Sequence, residues 1–524
     1  MSESFDLTTR PWIPCERLDG SQVELSTRDV LVEAHALRGL VEQSPLVLAT
    51  LYRHLLAMLH RTYAGPRNMK EWTAIAKSGQ FDATRIEAYL GSVRNRMDLF
   101  HPTYPFAQTR GLVEQFDVDP IDALELERSS WGSARELFQH RPDSYQATMT
   151  PARAARALLA HQAFATGGLV RKPSEPTSAT AAPLVRCAVV MLRGNTLFDT
   201  LRSNLLRYDP IEHLPISASD DAPSWEQPPP PARLGAVEPK RHPKGWLDAL
   251  TWLSRRIELV QEGGSVTGWV RAVGQGVAEG GPLDPMVTYR ADEKRGLVSM
   301  GMNPARAFWR DCHALFEVAS ETSASRFRRP LAIDLVARPA ALDVLGNSAA
   351  YSVEVMGLAA DQSKVEMVRI DRVHAHAKLF DDPGARDAIQ HSLKRADTAV
   401  FALKNALRLY ARHALSPGGR NPDAKDVTAF VDSLGAESAA WSALGVAFAG
   451  FMRALEAGPD AAEAAFAEGI QTVVRDEFKR ATARPETAAR WLKARAIAER
   501  SLRISLSLLR DSPTDPLTPS KVSP

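Results

Sequence analysis

Only three cysteines occur in 524 residues, and Cys15, Cys187 and Cys312 stand far apart, none with a companion at metal-ligand spacing. That excludes a disulfide framework and a cysteine-rich zinc site, and makes a reducing, cytoplasmic setting the expectation. No apolar run reaches about 18 residues, and no basic start leads into an apolar stretch, so neither a membrane span nor a secretory leader is expected. Excess charge of one sign is missing too, since 64 Lys and Arg against 62 Asp and Glu give a formal net charge of +2. A chain so balanced does not coat nucleic acid wholesale, though cations gathered on one face still can. Catalytic signatures are equally scarce. There is no H-x-E deaminase pattern, no nucleophile elbow and no phosphate loop with its lysine. The glycines at 274, 276, 280 and 281 match a dinucleotide fingerprint in number alone. No cofactor is expected, and binding fits the chain better than chemistry.

What is present is a soluble-protein composition, 44% hydrophobic and 24% charged, in a chain long enough for two or three domains. The pattern predicts an α+β protein. A large mixed N-terminal domain with long loops spans 1–382, a C-terminal antiparallel four-helix bundle spans 383–511, and a disordered tail covers 512–524. Ser44 with Pro45, and Thr150 with Pro151, read as helix starts because the first residue caps and the proline needs no amide partner. Trp12 and Ile13 belong in the core, as do Phe100 and Phe106 on a proline-rich segment. Val185 to Leu192 reads as a buried strand. His54 and His60, on the helix from Ser44 to Tyr63, lack acidic or cysteine companions and read as surface or interface residues.

Several stretches offer side chains to a partner. Gly357 to Lys364 lies between two strand-like runs, Tyr351 to Met356 and Val365 to Ile370, and reads as a tight connection beginning at its glycine. Asp361 accepts hydrogen bonds, Gln362 accepts and donates, and Lys364 brings a cation. Such a tip suits a nucleic-acid groove; an ordinary solvated hairpin is the plain alternative. After the helix Ala152 to Phe164, Gly167-Gly168 permits close backbone approach and Arg171 and Lys172 follow, so this turn can face phosphates or a minor-groove edge, or simply end a helix. Arg271 is a candidate groove finger or a solvated strand residue. Phe138 and His140 form a docking hook on a long loop. His374 and His376 share a strand face, which can ligate a metal but lacks a carboxylate of matching parity. Residues 475–510 carry ten cations against four anions. Arg490, Lys493, Arg495 and Arg500 there form either a track for a nucleic-acid backbone or a solvated face that contacts a partner.

Taken in order, further fragments add up to a resemblance. They are Phe5-Asp-Leu-Thr-Thr-Arg-Pro-Trp-Ile-Pro14, Pro105-Phe-Ala-Gln108, Leu137-Phe-Gln-His140, Ala155-Arg-Ala-Leu-Leu-Ala-His-Gln162, Arg193-Gly-Asn-Thr-Leu-Phe-Asp-Thr-Leu201, Pro223-Ser-Trp-Glu226, Leu250-Thr-Trp-Leu-Ser-Arg-Arg256 and Gly357-Leu-Ala-Ala-Asp-Gln-Ser-Lys364. Over roughly residues 5–510 the chain resembles the large subunit of the type I-E CRISPR Cascade surveillance complex. The resemblance implies a non-catalytic member of a crRNA-containing ribonucleoprotein that reads the protospacer-adjacent motif of double-stranded DNA from the minor groove. It implies that Gly167 and Gly168 form the groove-pressing loop and that Gln362, flanked by Asp361 and Ser363, is the strand-parting wedge. Arg271 is the nearest cation where the family has a lysine finger. The resemblance further implies that Phe138 docks toward crRNA and the backbone subunit, that the bundle contacts the small subunits, and that a separate helicase-nuclease is recruited after R-loop formation. A scaffold that bridges subunits without reading DNA is the runner-up, and a metal-dependent nuclease using His374 and His376 a further alternative.

Overall fold

Local capping chemistry sets the frame of the N-terminal part. Ser44 Oγ accepts from the Val47 amide at the start of the Pro45–Thr62 helix, and Thr150 Oγ1 accepts from Arg153 N at the start of Pro151–Phe164. Thr196 and Asp199 close a reciprocal capping box on Leu197–Asn204, which satisfies two otherwise orphaned amides. The computed structural model describes residues 3–128, 147–170, 177–208, 220–230, 239–318, 326–346, 349–361, 363–416, 421–483 and 489–511. The chain divides into two compact units, Met1–Asp381 and Asp382–Pro524.

In the first unit the Pro45–Thr62 helix is buried along nearly its whole length, as an apolar surface on every side demands. It packs against Pro151–Phe164, the short Trp246–Leu250 helix and the Ala350–Asp361 strand. His54 and His60 are therefore core residues, which corrects the surface reading. His54 lies edge-on to the rings of Trp12, Phe106 and Trp225. His60 Nε2 accepts from Trp246 Nε1 at 3.1 Å, so its proton sits on Nδ1. Burial pushes both imidazoles down to about 3, and they stay neutral. Trp12, Ile13, Phe100 and Phe106 are buried as expected.

Small antiparallel sheets surround this helix. Ile13–Arg17 is central to one, between Gln22–Leu25 and Leu37–Leu40. Arg255–Glu262 and Ser265–Val273 form a second hairpin, edged by Asp119–Pro120. Buried glutamines tie the first of these strands to its surroundings. Gln108 accepts from Leu259 N at 2.8 Å and donates to Leu99 O at 2.7 Å. Gln162 accepts from Arg255 N at 2.9 Å and donates to Arg255 O at 2.8 Å.

The longest hairpin joins Ala350–Asp361 to Lys364–His376 and is closed by the Asp361–Lys364 pair. A third strand, Val189–Arg193, pairs with its first arm only from Ser352 to Met356. That strand starts four residues later than the sequence pattern suggests, because 183–186 form a turn and 187–188 are irregular. At the root, the fully buried Glu354 carboxylate meets Arg193 Nη1 at 3.2 Å and Arg372 Nε at 3.0 Å. Gly357 is not a turn residue, contrary to the sequence reading. It lies inside the strand, and a Cβ there would come within 2.7 Å of Cys187 O. The glycine is needed for close backbone approach, and the strands reverse only beyond the Asp361–Lys364 pair.

The second unit consists of helices Pro383–Ala414, Ala424–Ser433, Ala436–Ala454, Pro459–Thr482 and Ala489–Asp511. Pro383–Ala414 packs against each of the others, and Ala436–Ala454 packs on Pro459–Thr482. Tyr410, Phe430 and Trp491 cluster with tilted rings, while Phe448, Phe451 and Phe466 meet between two helices. Among the described residues no helix is long and apolar enough to cross a membrane.

Candidate nucleic-acid interface

The helix Pro151–Phe164 ends where Ala165 N closes back on His161 O, and a polar, glycine-containing segment follows. Gly168–Val170 then pairs antiparallel with Thr177–Ala179, in the register Gly168 to Ala179 and Val170 to Thr177. The sequence pattern suggests only a flexible run here. The paired strands make it a strap whose neck is closed by Ala182 N donating to Ala165 O at 2.8 Å. Val170 and Ala179 bury against Val273, so the strap lies on the end of the Ser265–Val273 strand.

Geometry favours glycine at both positions of the strap. A Cβ on Gly167 would lie 3.2 Å from Ala181 N and 3.3 Å from Ala179 O, which are backbone atoms and cannot rotate aside. Gly168 has φ 146°, a region that side-chain-bearing residues rarely adopt. Its position for a Cβ is 3.0 Å from Ser363 Oγ. Thr166 Oγ1 donates to Ser363 O at 3.0 Å, across 197 residues of sequence. The glycine strap and the tip of the long hairpin therefore meet directly.

The surroundings of this contact are open. Asp361, Ser363 and Lys364 are exposed, and Gly167 and Gly168 are half-exposed. Leu169, beside the glycines, is 74% exposed, the most exposed large apolar side chain among the described residues of the first unit. Beyond Met356 the hairpin is only two strands wide, so its end reaches past the sheet that supports it. Gln362 itself lies outside the described residues, as do Arg171, Lys172, Phe138 and His140.

Arg271 belongs to the same neighbourhood. It lies two residues from Val273 and so shares the strand face on which the strap packs. Half-exposed, its guanidinium sits 5.6 Å from the centre of the Trp269 ring. Behind it His161 is buried, donates through Nδ1 to Leu124 O at 3.1 Å, and is driven to about 3 by burial and then by the Arg271 charge. Arg255, also buried, faces the strap's neck. Burial and the same neighbouring charge lower its guanidinium to about 10, which still leaves it protonated. Sequence reasoning passed over Thr166, Leu169 and Arg255. Only the Arg255-Arg256 pair beside a buried tryptophan gave a local hint.

The remaining candidates belong to other parts of the chain. His374 is exposed and His376 half-buried on one strand face. Among the described residues no three His, Cys, Asp or Glu gather closely enough to hold a metal. In the second unit Arg490, Lys493 and Arg500 are exposed and Arg495 is half-exposed on Ala489–Asp511, while Trp491, Ala494, Ala498, Leu502 and Leu506 form its buried stripe. The cations thus face away from the core of that unit.

Known proteins share this architecture. A family model described as CRISPR-associated protein Cse1 matches residues 6–484. The CRISPR-associated protein CasA/Cse1 of Thermus thermophilus is 32% identical over 504 residues, covering 95% of this chain and 96% of that protein. A crystal structure of Thermus thermophilus CasA superimposes with a TM-score of 0.82 at 31% identity, over 97% of this chain and 100% of that one. A chain of a structure described as a CRISPR RNA-guided surveillance complex shares the fold, with a TM-score of 0.73 at 19% identity over 96% of this chain and 100% of that one.

Proposed function

The chain belongs to the CRISPR-associated Cse1 family, and from that membership we propose that it is a non-catalytic subunit of a crRNA-guided surveillance complex that recognises target DNA. In this reading it examines the protospacer-adjacent motif of double-stranded DNA from the minor-groove side and starts strand separation. The observation that carries the reading is the contact between strap and hairpin tip, where Gly168 abuts Ser363 and Thr166 bonds to it. A glycine backbone can approach a groove floor closely, while the adjoining tip, with Asp361, Gln362, Ser363 and Lys364, enters between the first base pairs.

Minor-groove edges separate A·T from G·C and little more, so a backbone strap with one or two side chains gives permissive reading of a short motif. Arg271 supplies a cation on the strap's side of the sheet. Unstacking a base step costs a few kcal/mol and is offset by guide pairing, so no hydrolysis is required of this subunit. The exposed cations Arg490, Lys493, Arg495 and Arg500 serve as a backbone track, with Arg171 and Lys172 as further phosphate contacts. Phe138 and His140 dock toward crRNA and a backbone subunit, and the C-terminal helices act as a four-helix bundle that contacts the small subunits. A separate helicase-nuclease is recruited once the R-loop has formed.

The test is binding of the assembled complex, with and without this subunit, to a library of duplexes randomised beside the target. Enrichment of particular flanking bases only when the subunit is present supports the reading. Equal enrichment without it leaves the subunit as a scaffold.

A further inference from the structure

The strap's neck holds a buried cation with an unusual set of partners. Arg255 is 3% exposed, and no described carboxylate pairs with it. Its Nη2 donates to Thr166 O at 2.9 Å and to Thr180 O at 2.9 Å, with a longer contact to Ala165 O at 3.4 Å, and Nη1 donates to Ser254 O at 2.9 Å. Thr166 and Thr180 lie on opposite legs of the strap, immediately outside the Ala182–Ala165 bond that closes the neck. The backbone of Arg255 is in turn locked to Gln162 by two hydrogen bonds, on the helix from which the strap springs. Gly274 leaves room for this arrangement, since a Cβ there would lie 2.7 Å from Arg255 N and Cα.

We propose that Arg255 is the positioning residue of the glycine strap. Its Nη2 bridges the two legs while Nη1 is held by Ser254 O, and this sets the height at which Gly167 and Gly168 stand beside the hairpin tip, although the side chain itself touches no DNA. The inference rests on the reading of the strap as a minor-groove element. A buried charge held by carbonyls is costly to leave unsatisfied, so moving either leg away from Nη2 carries a penalty that favours the observed strap position. Lysine keeps the charge but has one nitrogen on a flexible stem, so it cannot fix one donor on Ser254 O and bridge the legs with a second in the same plane.

The experiment uses the assembled complex carrying Arg255→Lys, Arg255→Met or Thr166→Val, with duplexes that do or do not carry the motif selected by the wild-type complex. For Arg255→Lys we expect intact assembly, an unchanged salt slope on motif-free DNA, and motif discrimination reduced roughly tenfold, the effect of losing one hydrogen bond to a charged group. Amide exchange should quicken in Gly167–Val170 and not in the Pro45–Thr62 helix. Arg255→Met should do the same or more. Thr166→Val, at a half-exposed site, should fold normally and lose discrimination to a smaller extent. Wild-type discrimination by Arg255→Lys overturns the proposal, as does retention by lysine with loss by methionine, which would make charge rather than fork geometry decisive. If Arg255→Lys and Arg255→Met both fail to assemble, Arg255 is a core residue only and the proposal fails. A wild-type complex without motif preference sinks the groove reading instead, while the exchange measurement still tests the clamp.

Discussion

Replacing Gly168 with alanine perturbs one dihedral and one contact, and the two can be weighed separately. At φ 146° an L side chain is strained, at a cost on the order of 1–3 kcal/mol. The new methyl would lie 3.0 Å from Ser363 Oγ and 3.6 Å from its Cβ, but that hydroxyl can rotate aside, so the backbone term dominates. Domains commonly hold about 5–15 kcal/mol of stability, so the protein stays folded and the strap yields instead. If groove contact needs the observed backbone, motif-dependent affinity should drop by about 5- to 150-fold, which is the same free energy expressed as a ratio. Affinity is read on assembled complexes with motif-bearing and motif-free duplexes at matched salt. Gly79→Ala is the control. It has φ 75°, and nothing lies within 4 Å of the added methyl, so it strains the backbone without touching the strap. It should lower the unfolding temperature and leave discrimination intact. Wild-type discrimination by Gly168→Ala, or an equal loss in Gly79→Ala, refutes the reasoning.

Further perturbations test other parts of the reading. Gln362→Ala should slow R-loop initiation on linear duplex more than binding to a pre-opened bubble, and equal effects on both substrates remove its wedge role. Reversing Arg490, Lys493 and Arg500 together should weaken DNA binding and reduce the salt slope by up to about 0.9 for each phosphate no longer neutralised; an unchanged slope assigns that face to protein contacts. The buried histidines predict acid sensitivity. His54, His60 and His161 are held near 3 in the fold, against 6.5 when unperturbed. Their contribution is complete above 6.5 and is lost as pH falls from there toward 3, because the unfolded chain then binds more protons. At pH 5 the loss is about 2 kcal/mol for each. Denaturant midpoints that stay level between pH 7 and 5 in the isolated subunit contradict this.

The parts of the fold legible in the sequence are those governed by near neighbours. Ser44 with Pro45 and Thr150 with Pro151 announce helices because a cap and its amide partner lie within three residues. Trp12 and Phe106 betray burial by size and apolarity. Gly357 misled for an equally local reason: a glycine before small polar residues looks like a turn, and only the carbonyl of Cys187, far away in sequence, shows why it is needed. His54 and His60 carry no sequence mark of the aromatic cage around them. The candidate site was half legible. Gly167, Gly168 and the hairpin tip stand out as motifs, while their meeting through Thr166 and Ser363 depends on the path of the intervening chain. Arg255 was hidden most completely, since its partners are carbonyls, which every residue possesses.

The root of the long hairpin carries a mechanical consequence. If the hairpin pries at base pairs as proposed, the arm is only as stiff as its fulcrum, and here the fulcrum is a carboxylate. Glu354, sealed from solvent between arginines of the two flanking strands, resists shear because sliding either strand would strand its charge in the interior. Damage to Arg193 or Arg372 should therefore blunt the lever while leaving every residue of its working end unaltered.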